Sequence, residues 1–328
     1  MIYDVFGMCN PLYDIQVEVS DAVIADLGLN KGGMHLVDEA RQREIIAKTY
    51  AHIVNSEPGG SGANTVIGVS LLGGTAAYMG RVGRDEHGKL YNDGLYARKV
   101  RPCTTAEEGT TGICLVMITP DAQRTMCTFL GISRELHPND IDMEALRASR
   151  YLYVTGYLWD TDSQKETVLK AMHTAKAAGV KVALSLSDPF CVARNKSDFL
   201  KIVSEHVDLL IGNSEEAQML TDTEDPHSAI HALADYCDIA AVTMDSRGSL
   251  LREGDVLYEI PSYPVTPIDT TGAGDFYASG ILYGLTHGLS LDRSGHLAAY
   301  IAAQVVAKLG PRLEELDSRE IARIIGRD

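Results

Sequence analysis

The stretch 151–186, YLYVTGYLWDTDSQKETVLKAMHTAKAAGVKVALSL, contains two continuous apolar runs, Tyr151 to Thr155 and Val180 to Leu186. Between them lies a helical stretch that ends at Ala178-Gly179, where glycine supplies the left-handed cap. Two further runs of the same kind follow, Asp208 to Gly212 and Ile239 to Thr243. Apolar runs without alternation are strands buried on both faces. Such strands alternating with helices predict an α/β protein with a mostly parallel central sheet covered on both sides, a three-layer αβα core. Ligands of such sheets bind at the carboxyl ends of the strands.

The N-terminal part reads differently. Tyr3 to Met8 is a short apolar strand, and Ile15-Gln16-Val17-Glu18-Val19 alternates strictly, which predicts one wet face. Gly112 to Thr119 and Arg124 to Phe129, joined by a turn at Pro120 to Gln123, predict a hairpin with a half-exposed face. Together they suggest a small antiparallel sheet standing off the core. No repeat or linker divides the chain, so the expectation is one domain, 1–328, with lid segments at about 10–38 and 100–130 inserted in the α/β core.

Composition narrows the function classes. The 328 residues include 29 Lys+Arg against 45 Asp+Glu, a formal charge of −16. That balance opposes a non-specific grip on nucleic acid or an anionic membrane, so an anionic partner must be held by local dipoles. Cys9, Cys103, Cys114, Cys127, Cys191 and Cys237 are scattered without metal spacing, which reads as a reducing, cytoplasmic compartment. MIYDVFGM lacks the pattern of a signal peptide. The most apolar stretch, Leu297 to Leu309, is too short to span a membrane and carries Gln304 and Lys308.

Chemistry concentrates in Asp269-Thr270-Thr271-Gly272-Ala273-Gly274-Asp275, followed by a helical pattern from Phe276 to Gly288. Small residues at 272, 273 and 274 let successive backbone N–H groups approach an anion, and a helix N-terminus adds its dipole. Asp275, ionised in the first turn beside a phosphate, can accept a hydroxyl proton. The alternative is a glycine turn with an Asp that caps a helix. Gly83 to Lys89 nearly spells a P-loop, but Leu90 stands where Ser or Thr must bind the metal. His227 and His231 share a helical face without a third ligand. No G-x-G-x-x-G follows the first strand, which disfavours a dinucleotide oxidoreductase.

DTTGAGDFYASG resembles the second signature of the PfkB carbohydrate kinase, or ribokinase-like, family, and Pro58 to Asn64 (PGGSGAN) with Gly73, Gly74 and Gly83 resembles the first. FGMCNPLYDI, GYLWD, SLSDPF and IGNSEEA are similar to segments of bacterial adenosine kinases within it. The resemblance covers essentially the whole chain. It implies a Rossmann-like ribokinase fold with a β lid, and transfer of a phosphoryl group from ATP, with Mg2+, to a primary hydroxyl. The acceptor implied is the 5′-hydroxyl of a nucleoside, adenosine giving AMP. A free sugar such as ribose or fructose is the alternative, and a non-catalytic nucleoside-binding protein a more distant one.

Carried over by position, Asp275 is the base, the amides of Gly272, Ala273 and Gly274 form the anion hole, and the lid Arg124 reaches the transferring phosphate. Asp14 binds ribose hydroxyls, completed by Asn10, Gly60 and Asn64. Leu12, Leu36, Tyr157, Leu158, Trp159 and Phe190 are candidate walls for the base. Asn213 and Glu216 match an Asn-x-x-Glu that organises Mg2+ and phosphate, the Glu acting through water. The alternative there is an N-capped surface helix. Thr243 and Gly248 contact ATP, and Asp269 and Thr271 lie where a monovalent cation such as K+ is bound. Departures from the family pattern are Asp245 at a usual Gly, Cys9 for Gly, and Gly62-Ala63 for a bulkier pair. Monomer and lid-mediated homodimer are both open, with Gln16 and Glu18 on an outer lid face pointing to the monomer.

Overall fold

The computed structural model describes residues 2–121 and 123–326. Among these, nine strands form the central sheet in the order Val256–Ile260, Ser249–Glu253, Ile239–Thr243, Leu209–Asn213, Lys181–Ser185, Ser149–Thr155, Tyr3–Met8, Ala76–Met79 and Val100–Pro102. All neighbours run parallel except the two hairpin pairs that end the sheet at Val256–Ile260. Each central strand serves two cores. Leu152 and Val154 face one with the helices Asp162–Ala177 and Pro189–His206; Tyr151 and Tyr153 face the other with Ser61–Leu71 and Ala273–Thr286. Burial on both faces explains why these strands read as unbroken apolar runs. Helix Asp162–Ala177 begins on a Thr161 side chain that accepts the Gln164 N–H, and ends before Gly179 at φ 74°.

A second sheet of five strands stands at the carboxyl edge, in the order Met34–Leu36, Arg124–Phe129, Gly112–Ile118, Leu12–Glu18 and Ile53–Gly59. Three expectations for it are corrected. It is mixed: Leu12–Glu18 runs parallel to Gly112–Ile118, and Arg124–Phe129 parallel to Met34–Leu36, because the paired segments come from distant parts of the chain. It recruits Ile53–Gly59, outside the expected lid segments. Its alternating strands have no wet face, since Gly112–Ile118 is buried along its length. One face, with Tyr13, Ile15, Val17 and Leu115, packs under helix Glu39–Thr49 through Ile45. The other gathers Cys114, Val116, Ile118, Leu12 and Met126. Gln16 shares that second face with Asp14 and is 7% exposed, so it does not mark an outer surface. No helix among the described residues is long and apolar enough to cross a membrane.

Candidate active site

The chain turns at Gly272, φ 79°, and enters helix Ala273–Thr286 with no side-chain cap. A Cβ at 272 would stand 2.6 Å from the Pro311 carbonyl oxygen, so the close approach and the positive φ both require glycine. The Ala273 N–H is spent on the Thr270 carbonyl at 3.2 Å. Those of Gly272, Gly274 and Asp275 enter no hydrogen bond among the described residues. Three of the N–H groups at this helix start are therefore open, whereas that of Ala273, expected among the anion donors, is engaged. Space above Gly274 is open to beyond 4 Å.

Asp275 is held by two donors from helix Ser61–Leu71. The Ser61 hydroxyl donates to one carboxylate oxygen and the Asn64 Nδ2 to the other, the latter at 2.8 Å. Burial pushes the carboxyl up to about 6, against the lowering effect of these donors and of Arg312. Desolvation thus outweighs the two donors and the arginine that favour the ionised form.

Across the cleft, Asp14 lies on strand Leu12–Glu18, opposite Glu57 of the edge strand. A Cβ at Gly59 would overlap its carboxylate at 2.0 Å, so this glycine makes the room Asp14 occupies. Burial raises Asp14 to about 7; Arg312 opposes the rise and Glu57 adds to it. Gly60, φ 88°, turns the chain from that strand into the helix carrying Ser61 and Asn64. Asn10 is 4% exposed; its Oδ1 accepts from Gln164 at 2.8 Å and its Nδ2 donates to the Tyr157 carbonyl at 3.4 Å.

Arg124 crosses from lid to core and pairs with Asp269 at 2.8 Å, both side chains 7% exposed. The Asp269 carboxylate also accepts the Thr271 N–H at 3.0 Å and the Gly310 N–H at 2.9 Å. The Asp269 carboxylate, expected near a monovalent cation, thus already faces an arginine and two amides. Arg124 thereby stands against the loop that precedes Gly272, and its Nε and Nη2 make no aligned hydrogen bond.

At the end of strand Leu209–Asn213, Asn213 and Glu216 close on each other. The Glu216 N–H donates to Asn213 Oδ1 at 2.9 Å, while Glu216 accepts from the Asn213 N–H at 2.9 Å and Nδ2 at 2.7 Å. Burial raises Glu216 to about 7. The pair forms an N-cap, as the alternative reading had it, at the carboxyl end of its strand. Thr243 ends the next strand, and Asp245 holds φ 51°, the left-handed backbone that glycine would adopt there. Asp is among the few residues that tolerate it, so the departure leaves the loop's path intact. Gly248, φ 94°, passes so near the Ile260 carbonyl oxygen that a Cβ would lie 2.0 Å from it.

The expected base walls separate. Leu158 is fully buried in the core with Phe199, and Trp159 stacks edge-on against Phe199 while donating to Asp198 at 2.8 Å. Both are corrected to core residues. Phe190, 77% exposed, and Leu36, 59% exposed, lie open, whereas Leu12 and Tyr157 are half-buried. Glu57, Ser61, Gly310, Pro311 and Arg312 were not singled out for roles. Arg312, 4% exposed, donates from Nε to Asn64 Oδ1 at 2.9 Å and from Nη1 to Glu57 at 3.2 Å. An arginine in a Gly-Pro turn was its only local signal.

Residues 33–318 match the family model described as pfkB family carbohydrate kinase. The chain is 35% identical to the crystal structure of adenosine kinase from Sinorhizobium meliloti, with 98% of this chain and 99% of that one covered and a TM-score of 0.89. It is 34% identical to a probable sugar kinase protein from Rhizobium etli CFN 42, covering 99% and 98%, also at TM-score 0.89. A 5-dehydro-2-deoxygluconokinase of Halalkalibacterium halodurans is 28% identical over 279 residues, 79% of this chain and 84% of that protein.

Proposed function

Because the chain belongs to the pfkB family of carbohydrate kinases, we propose that it transfers the γ-phosphoryl group of ATP to the 5′-hydroxyl of a nucleoside, with adenosine as acceptor and AMP as product. The observation that carries the reaction is the uncapped start of helix Ala273–Thr286 beside a carboxylate clamped by Ser61 and Asn64. Asp275, at about 6, is ionised at neutral pH and takes the hydroxyl proton as the phosphoryl group arrives. Ser61 and Asn64 hold the carboxylate in place. The N–H groups of Gly272, Gly274 and Asp275 meet the charge of the transferring group, and Arg124 adds a second positive contact. Asp14 accepts from the ribose hydroxyls.

Among the described residues no cluster of three or more His, Cys, Asp or Glu could hold a metal. Asn213 and Glu216, oxygen donors at the end of strand Leu209–Asn213, fit an ion such as Mg2+ that keeps most of its waters, and would hold it through them. Bound so, Mg2+ supplies charge neutralisation on the phosphates.

Support for adenosine comes from the end-to-end likeness to the Sinorhizobium enzyme. The free-sugar reading draws on the relatives named 5-dehydro-2-deoxygluconokinase. An ATP-consumption screen across nucleosides and sugars separates them: adenosine should give the highest kcat/KM, and a free sugar that exceeds it overturns the nucleoside assignment while leaving phosphoryl transfer intact.

A further inference from the structure

We infer that Arg312 is a positioning residue that orients the base through Asn64 and ties it to the lid through Glu57. This rests on the phosphoryl-transfer reading of Asp275. The loop after helix Leu291–Val306 touches the site three times in succession. Gly310 donates to Asp269, the Pro311 carbonyl lies against Gly272, and the Arg312 side chain, 3% exposed, runs between core and lid.

The direction of each contact follows from donor chemistry. A guanidinium has only donors, so the Asn64 amide must turn its oxygen to Arg312 Nε. That choice leaves Nδ2 facing Asp275, where it donates at 2.8 Å. The opposite amide orientation would set N–H against N–H at Arg312 and oxygen against oxygen at Asp275. Arg312 therefore fixes the rotamer of the residue that clamps the base. Its Nη1 donates to Glu57 Oε2, the same oxygen that accepts from Arg98 at 2.8 Å. Glu57 stands in register with Asp14, so the guanidinium that orders Asn64 in the core also faces both carboxylates of the lid.

The ionisable groups that feel Asp275 are Asp14 from the lid, Cys9 after the first strand, Tyr153 of strand Ser149–Thr155, Tyr157 just beyond it, and Arg312. Arg312 is the cation among them, and it favours the ionised base. Removing it raises the pH at which Asp275 gains its proton.

Arg312→Met should lower kcat about 100-fold, leave the KM for ATP within about two-fold, and move the acid limb of the kcat profile to higher pH. Arg312→Lys keeps a charge without the planar fork, so the limb should return toward wild type while kcat stays about 10-fold low. A fall in kcat with an unmoved limb in Arg312→Met marks a merely structural role and overturns the inference. Wild-type kcat in Arg312→Lys overturns the orienting role, and this variant suffices if Arg312→Met does not fold. The assay uses adenosine, or whichever acceptor the wild type turns over. If the wild type phosphorylates no nucleoside, the function assigned above fails separately. The 13C titration of the Asp275 carboxyl, assigned against Asp275→Asn, then still reads Arg312: an unchanged midpoint in Arg312→Met, or in Arg312→Gln if the Met variant does not fold, contradicts it.

Discussion

Two glycine-rich segments each lead into a helix, and they treat its N-terminus in opposite ways. At Gly83 to Lys89, Asp85 sits at the cap and folds back. Its Oδ1 accepts the Gly88 N–H at 2.8 Å, and its Oδ2 the Thr111 N–H at 2.8 Å. At Asp269 to Asp275 the cap is Gly272, which has no side-chain oxygen, and Asp275 stands past it in the first turn. Asn213 and Glu216 form a third case, closed by a reciprocal capping box. A capping side chain and an anionic ligand compete for the same amides. Between these two segments glycine content does not tell the helix starts apart; the self-made cap does.

The contrast can be broken most severely at Asp275. Asp275→Asn should reduce kcat about 1,000-fold with little change in acceptor KM, since the base is lost and the amides remain. In the wild type, kcat should fall as pH drops through about 6, where the raised Asp275 carboxyl gains its proton. Near-normal turnover of the Asn variant would remove Asp275 from the reaction. Gly272→Ala forces a Cβ onto the Pro311 carbonyl and displaces the open amides, for an expected loss of about 100-fold in kcat. Steady-state rates at saturating ATP test this, and an unchanged kcat would mean that the amides do not act. Asp14→Ala should raise the acceptor KM about 10-fold to 100-fold and affect kcat less; a wild-type KM would take Asp14 out of the pocket. At the capped segment, Asp85→Ala should cost about 1 kcal/mol of stability in denaturant unfolding and leave kcat/KM untouched. A catalytic defect there would erase the distinction between the two helix starts.

Legibility followed the range of the forces involved. Ile239–Thr243 and the strands around 151 and 181 announce themselves because burial on both faces confines their charged and small polar residues to the strand ends. Ile53–Gly59 (IVNSEPG) gives no such pattern: it is an edge strand, mostly exposed, with Pro58 near its end. Asp275 and Asn64 stand in motifs whose backbone needs are local. Tyr157, Leu158 and Trp159 are adjacent in one short turn, and which of them points inward depends on Phe199, some forty residues on. Glu57 and Arg312 are ordinary charges until the fold brings them together.

The span of the base's supporting contacts has a kinetic meaning. Ser61 and Asp275 are 214 residues apart, Asn64 and Arg312 248, Glu57 and Arg312 255. Closing such loops is entropically costly and gains little until the sheet between them exists. On refolding, helical signal should therefore recover before turnover. On the ribosome, the first-made wall of the cleft waits for nearly the whole chain before its keystone arrives. Activity thus reports completed assembly of the long-range network, whereas secondary structure reports only its parts.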